Sequence, residues 1–416
     1  MHPSLPSLAF TALVLVAGTS CSSSSSSAGD DAGTPDADAA VVTPPWMTSA
    51  KVLVSGHDVV NEDCRTGICR HNENTDLVRF KGAIYLVHRT AFSQVLGPNS
   101  ALHVYRSIDE GVTFTQTALI PAPMAPLSGD DKATAGRDLR DPHFYVVPGE
   151  GGDDTLMIKA LTRLPVTSAR DSFVDTMAIG ISSKDGATWS PMRVLGPVGY
   201  SFWRIKEHAG VYYTAAYQDG DASVTMFSST DGLSWTKGAV VYDVSADTPL
   251  ETELQFMPSG RLLGLIRMDG NDDEIFGNKG RLRTKVCWAT APYDKFDCPS
   301  ELTGQRLDGP VSFLVGTRMF VIARRHLQPT NKKRNTLFEI TGNLEGGPIA
   351  VVAVGDTPSA GDTAYAGAVM LDGHRLLTSW YSGDLVDDVD WLQGMLGLSD
   401  IWQGTIDFDR VPAPSP

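Results

Sequence analysis

The segment Ser107-Ile108-Asp109-Glu110-Gly111-Val112-Thr113-Phe114 returns in shorter form as Ser183-Lys184-Asp185-Gly186-Ala187-Thr188-Trp189 and as Ser229-Thr230-Asp231-Gly232-Leu233-Ser234-Trp235. Each copy follows one apolar, strand-like run and precedes another, the placement of a hairpin turn. The aspartate accepts hydrogen bonds from turn amides, the glycine supplies positive φ, and the closing aromatic packs beneath the loop. One such turn constrains little. Recurrence with the same serine and a closing aromatic marks a repeated sheet unit, which must stack on its neighbours to bury its faces. Ala289-Thr290-Ala291-Pro292-Tyr293-Asp294-Lys295-Phe296 reads as a degenerate fourth copy.

The runs between these turns alternate with period two, as in Ala83-Ile84-Tyr85-Leu86-Val87, Ala101-Leu102-His103-Val104-Tyr105 and Arg261-Leu262-Leu263-Gly264-Leu265-Ile266. Forty glycines and 25 prolines are scattered among them, and no long amphipathic helix stands out. The pattern from residue 47 to 410 is that of an all-β domain of many short strands.

The two ends carry different information. Leu8 to Ala17 is an apolar run of secretory-signal length, too short to span a bilayer as a helix. Gly18-Thr19-Ser20 then lead into Cys21, and small residues before a cysteine at the end of such a run resemble a bacterial lipobox, with Cys21 lipidated. Residues 22–46, rich in Ser, Asp and Pro, read as a flexible tether, and 411–416 as a tail. Ser22 after the cysteine, in place of aspartate, points to the outer membrane or cell surface of a bacterial envelope rather than the inner membrane. Export permits disulfides. Of the three connectivities open to Cys64, Cys69, Cys287 and Cys298, the local pairs Cys64–Cys69 and Cys287–Cys298 are expected, and the spacing lacks the close C-x-x-C or histidine pattern of a zinc site. The net charge of −15 supplies no broad basic face, so nucleic acid is not an expected partner.

The repeated turns resemble the Asp-boxes of sialidase-type propellers, in which they are structural and lie away from the active face. The resemblance implies a six-bladed β-propeller of four-stranded antiparallel blades, consistent with about 60 residues per blade over residues 47–410. It also extends to individual residues. Glu251 and Arg267, 16 apart across a strand, turn and strand, are similar to the family pair in which the glutamate polarises the nucleophile and the arginine binds the substrate carboxylate. Glu253 competes for the role of base. Tyr365, in Gly361-Asp362-Thr363-Ala364-Tyr365-Ala366-Gly367, matches the segment that carries the nucleophilic tyrosine. A neutral phenol suits a sugar whose anomeric carbon bears a carboxylate, because a carboxylate nucleophile would be repelled.

The family clamps that carboxylate with three arginines. Arg324 and Arg334 are both candidates beside Arg267. The usual first-strand arginine is missing, which leaves Arg89 and Arg70 as substitutes. The stretch Gly97 to His103, where the acid/base aspartate is expected, contains no carboxylate. Arg137-Asp138-Leu139-Arg140-Asp141-Pro142-His143 and Thr75-Asp76-Leu77-Val78-Arg79-Phe80 resemble a branch of sialidase-like propellers with a D-L-R-D-P segment. On that resemblance Asp138 and Asp141 are the candidates for the acid, Arg140 for the missing clamp arginine, and Asp76 for substrate binding. His88 and His143 lie near these positions in sequence.

The resemblance implies a monomeric sialidase-like glycoside hydrolase acting on terminal acidic sugars of glycans, without cofactor or metal, touching the membrane only through its lipid. The alternatives are a catalytically silent glycan-binding propeller and a hydrolase or lyase on another sugar.

Overall fold

Short alternating runs joined by tight turns can bury their apolar faces only by pairing and stacking, and the chain does so throughout. The computed structural model describes residues 42–94, 99–127, 136–163, 176–218, 223–270 and 282–413. Cys21, the signal segment and most of the tether lie outside the described residues. Strands dominate, and among the described residues one α-helix, α1 (Trp391–Leu396), interrupts them.

The strands β2 (His71–Phe80), β3 (Ala83–Ala91), β4 (Ala101–Ser107) and β5 (Thr115–Pro121) form a four-stranded antiparallel sheet in chain order. So do β15 (Pro249–Phe256), β16 (Leu262–Met268), β17 (Arg283–Ala289) and β18 (Phe296–Thr303), and again β19 (Asp308–Val315), β20 (Arg318–Leu327), β21 (Lys332–Gly342) and β22 (Ile349–Asp356). Between the first and second of these lies a longer sheet. Its first half is β6 (Asp138–Val147), β7 (Thr155–Arg163) and β8 (Met177–Ser183), with β9 (Arg193–Val194) beside β8. In its second half β10 (Tyr200–Phe202) and β11 (Lys206–His208) both pair with β12 (Val211–Gln218), which continues to β13 (Val224–Ser229) and β14 (Thr236–Tyr242). The halves meet at one parallel bridge, Tyr200 to Met177. The last sheet takes β23 (Thr363–Met370), β24 (Arg375–Ser382) and β25 (Asp400–Asp407) from one end of the chain and β1 (Met47–Val54) from the other. The N-terminal strand thus ties the two ends of the fold together.

The first strands of the sheets touch one another, β2 packing on β6 and β23, β15 on β19 and β19 on β23, and β12 of the remaining half-sheet packs on β15. Apolar clusters fill the gaps between neighbouring sheets. Val87, Leu102 and Val104 meet Ile158, Ala160 and Ile179; Met319, Val321 and Phe338 meet Leu263, Leu265 and Trp288. Inner strands are therefore buried on both faces, and all nine residues of β3 are buried.

The repeated turns are built as the sequence predicts. Asp185 Oδ1 accepts from the amides of Ala187 and Thr188 at 2.8 and 2.7 Å, and Ser183 Oγ bonds the same oxygen. Asp231 Oδ1 repeats this with Leu233 and Ser234, and Asp109 with Thr113. Their aromatics, Phe114, Trp189 and Trp235, pack onto apolar clusters. Each turn also docks on a neighbouring sheet or half-sheet, through Tyr85 Oη to Asp185 O, Tyr145 Oη to Gly232 O and Gln403 Nε2 to Gly111 O. The cysteines pair as Cys64–Cys69 and Cys287–Cys298.

A second regularity runs along the leading strands. Pairing slips between Glu73 and Asp76, Arg140 and His143, Pro249 and Thr252, Asp308 and Val311, and Ala364 and Gly367. The strand of the remaining half-sheet breaks between Phe202 and Lys206. A bulge re-aims side chains and ends regular pairing, and these bulges all turn side chains toward one end of the sheets. The repeated turns sit at the other end: in the β3–β4 pair Ser107 faces Ile84, whereas Arg89 faces Leu102.

Candidate functional site

The bulges and the last residues of the second strands place the charged groups. Tyr365 lies on the β23 bulge with φ +47°, Asp141 on the β6 bulge with φ +47°, and Asn74 on the β2 bulge with φ +53°. Side chains rarely hold this conformation, at a cost on the order of 1–3 kcal/mol each, and it persists where the surroundings over-determine it. On β19 the equivalent position is Gly309, φ +58°. A Cβ there would lie 2.7 Å from the Tyr365 ring, so the glycine both turns the strand and makes room for the phenol.

Tyr365 Oη donates to Glu251 Oε1 at 2.5 Å. Arg267 Nη1 donates to the same carboxylate oxygen at 2.9 Å and to the phenol oxygen at 3.1 Å. Glu251 is fixed from the other side by the amide of Gly309, 2.8 Å from Oε2. The guanidinium of Arg324 lies over the Tyr365 ring, 5.0 Å from its centroid, and Trp203 meets the ring edge-on at 5.9 Å. Tyr365, Glu251 and Arg267 each retain a sliver of exposure, 7, 6 and 8%. Burial and the neighbouring Glu251 hold the Tyr365 phenol well above its ordinary pKa, so it is a proton donor at neutral pH. Burial, reinforced by Asp308 and against the pull of Arg267, pushes the Glu251 carboxyl up.

Asp308 binds the underside of this triangle. Its carboxylate meets Arg306 at 2.8 Å, Arg267 at 3.4 Å and His326 at 2.8 Å. Burial would raise its pKa, but Arg267, Arg306 and His326 outweigh it and hold it well below the usual range. His326 in turn accepts from Lys333 Nζ at 2.8 Å.

Asp76, on β2, lies against the β23 backbone at Gly367, two residues after Tyr365. It accepts from Arg204 Nη1 at 2.7 Å and from the Phe144 amide at 2.8 Å. Arg204 reaches on to the carbonyls of Ala366 and Pro310, tying β2, β19 and β23 together. Burial outweighs Arg204 and raises the Asp76 pKa. Asp138 is different: Arg89 Nη2 meets it at 2.8 Å and Arg140 Nε at 2.6 Å, and together with Arg163 they overcome burial and hold it low. Asp141 accepts from Asn74, and Lys159 donates to the Asp141 and Phe202 carbonyls at 3.1 and 2.6 Å. Burial lowers that lysine to about 7.

Among the sequence candidates, the structure brings Tyr365, Glu251 and Arg267 into mutual contact and lays Arg324 over the Tyr365 ring. It places Asp76, Asp138, Asp141 and Arg140 on the adjoining strands. Arg89 has no exposed surface; its fork is held by Glu73, Asp138 and the Leu139 carbonyl, so it positions carboxylates rather than facing the mouth. Arg334 lies outside the cluster, paired with Asp388 at 2.8 Å, because its strand position points it to the α1 side. Arg70 stacks on Phe92 and bonds the carbonyls of Phe92 and Leu396. Glu253 is fully buried, bound to Ser312 and Lys206. His143 packs edge-on against Trp203, and His88 stacks on His103. Sequence reasoning missed Arg204, Asp308 and Trp203. Asp308-Gly309-Pro310 reads as a plain turn, and Phe202-Trp203-Arg204-Ile205 has no period to mark a strand break.

No family model matches the chain, and no curated protein matches it. Solved structures do. A protein of unknown function from Dyadobacter fermentans is 16% identical with a TM-score of 0.61, covering 88% of this chain and all of its own. The alpha-L-arabinofuranosidase of Fusarium graminearum in complex with an iminosugar inhibitor is 10% identical with a TM-score of 0.60, covering 88% and 99%. The intramolecular trans-sialidase of Ruminococcus gnavus in complex with oseltamivir carboxylate is 12% identical with a TM-score of 0.59, covering 88% and 100%. The fold shared with these proteins is the sialidase-like propeller.

Proposed function

We propose that this chain is a glycoside hydrolase on a six-bladed sialidase-like propeller, the long sheet counting as two blades, and that it removes terminal acidic sugars from glycans. One observation carries the reading: the phenol of Tyr365, the carboxylate of Glu251 and the guanidinium of Arg267 form a closed hydrogen-bonded triangle at the bulged end of the strands. In this reading Tyr365 Oη attacks the anomeric carbon, and its proton passes to Glu251. The bond to the leaving oxygen breaks as a carboxylic acid delivers a proton to it; water, giving a proton back to that carboxylate, then releases the sugar from the tyrosyl oxygen while Glu251 returns the proton to the phenol. Asp76, kept high by burial, suits the acid role better than Asp138, whose arginines favour the ionised form. Arg267 and Arg140 are the guanidiniums offered to a substrate carboxylate, and Arg324, 1% exposed, backs the Tyr365 ring.

A second reading follows from the pairing of those guanidiniums. Arg267 is already matched to Asp269 at 2.7 Å, Arg324 to Asp362 at 2.8 Å and Arg140 to Asp138. Cations neutralised in this way gain less from a substrate carboxylate, which favours a neutral sugar. A panel of fluorogenic glycosides separates the two. Sialoside hydrolysis by the purified protein, lost in Tyr365→Phe, supports the first. Hydrolysis of alpha-L-arabinofuranosides instead supports the second. Turnover of neither, with sugar binding retained, would leave a glycan-binding propeller.

The proposal includes export as a monomer to the bacterial envelope, with Cys21 as lipid anchor, 22–46 as tether and 47–410 as the propeller. Cys21→Ser should move the protein from the membrane fraction to the soluble exported fraction; unchanged fractionation would remove the anchor.

A further inference from the structure

Behind the triangle, three buried side chains converge, each with one polar atom that lacks a hydrogen-bond partner. A ring nitrogen of His71, a carboxylate oxygen of Glu73 and one of Asp362 lie within 4.8 Å of one another, and all three residues have 0% exposure. His71 Nε2 and Glu73 Oε2 are 3.5 Å apart. None of His71 Nε2, Glu73 Oε2 and Asp362 Oδ2 has a hydrogen-bond partner. A buried polar atom without a partner is costly, and several aimed at one point call for a shared partner.

The other polar atom of each residue is held. His71 Nδ1 lies 2.9 Å from the Gly397 carbonyl, which can only accept, so Nδ1 carries the proton and Nε2 presents its lone pair. Glu73 Oε1 is bound by Arg89, and Asp362 Oδ1 by Arg324 Nη2 and Trp391 Nε1, both at 2.8 Å. Each group is thus oriented through one polar atom and keeps another unpartnered, as metal ligands fixed by outer partners do. Arg89 divides its fork between Glu73 and Asp138, and Arg140 Nη1 stands 3.9 Å from Glu73 Oε1.

We propose that His71, Glu73 and Asp362 bind a divalent transition-metal ion of the Zn2+ or Mn2+ kind, which staples the start of β2 to the segment leading into β23. One imidazole nitrogen and two carboxylate oxygens suit these ions better than Ca2+ or Mg2+, which prefer oxygen alone. The role is structural: Asp362 lies three residues before Tyr365, and Glu73 orients Arg89. It stands independently of the sugar chemistry.

The test uses the full chain, stripped with chelator and dialysed into metal-free buffer. Zn2+, Mn2+ and Ca2+ are then titrated separately, with bound metal measured by mass spectrometry and stability by thermal melting. The expected result is about one equivalent of Zn2+ or Mn2+ and a melting temperature raised by the metal and returned by chelator. His71→Ala and Glu73→Gln should each weaken uptake at least tenfold. Trp391→Phe, which alters a support of Asp362 and no ligand, should weaken it less and guards against variants that fail to fold. No uptake of either metal, or uptake undiminished in both ligand variants, overturns the proposal.

Discussion

Tyr365 and Glu251 come from strands separated by 114 residues, yet their oxygens lie 2.5 Å apart with Arg267 bonded to both. A hydroxyl within reach of a carboxylate is a nucleophile and base in position, and the buried arginine offsets charge as the proton moves. Tyr365→Phe removes the attacking oxygen while keeping the ring against Trp203 and under Arg324. Glu251→Gln keeps the shape and removes the base. Each should lower turnover of a glycoside substrate by about 10²- to 10⁴-fold. The double variant should be little worse than either single one, because the residues act as a unit. Full additivity of the two losses would show that they do not cooperate.

Glu251 also sets an expected pH profile. Its carboxyl is pushed up, chiefly by burial, and it must be ionised to accept the phenol proton. Activity should therefore rise with pH through a limb lying above the ordinary glutamate value of about 4.3. The same shift has the opposite sign for stability. A carboxyl with a raised folded pKa contributes most below its unfolded value, and that contribution is lost as pH climbs through the raised one. The profile of kcat/KM against pH checks the limb, and a limb at or below the ordinary carboxylate range would rule out Glu251 as the base.

Gly309 offers a test that touches no charged group. Alanine there must adopt φ +58° and would place its Cβ 2.7 Å from the Tyr365 ring. The Gly309 amide also holds Glu251. Gly309→Ala should reduce activity at least tenfold and destabilise the fold by about 1–3 kcal/mol. Gly316, on the exposed turn after β19 with φ +59° and open space around it, is the control. Gly316→Ala should cost stability without costing activity. Equal effects of the two substitutions on kcat would argue against a positioning role for Gly309.

The sheet architecture was legible because it rests on local chemistry. An aspartate, a glycine and an aromatic at fixed spacing specify one turn, and Ser107, Ser183 and Ser229 repeat it. The pair Glu251 and Arg267 was legible for the same reason, since a strand, turn and strand fix their registry. What the sequence concealed is produced by bulges. A bulge shifts side chains by one position, so Asp308 in an apparent turn and Arg204 in a broken strand leave no periodic trace. The partners of Arg89 were hidden differently. Glu73 and Asp138 are 65 residues apart in sequence, and only the packing of β2 on β6 brings them to one guanidinium.

His88 gives a prediction about acid stability. Its ring is fully buried, stacked on His103 at 5.4 Å and on Tyr105 at 5.7 Å, with Nδ1 bonded to the Arg89 carbonyl and Nε2 without a partner. Burial, with a smaller push from His103, lowers its pKa to about 3. Between that value and the ordinary histidine value of about 6.5, the unfolded chain binds a proton that the folded chain refuses. Stability therefore falls as pH drops through this window, by up to about 1.4 kcal/mol per pH unit for this one group. His88→Phe keeps a stacked ring and removes the titration. It should be less stable than the wild type at pH 8, where the lost carbonyl bond dominates, and should close that gap as the pH is lowered from 6.5 toward 4. Denaturant unfolding of both proteins across that range measures the difference, and a gap that stays constant with pH would show that His88 does not titrate on unfolding.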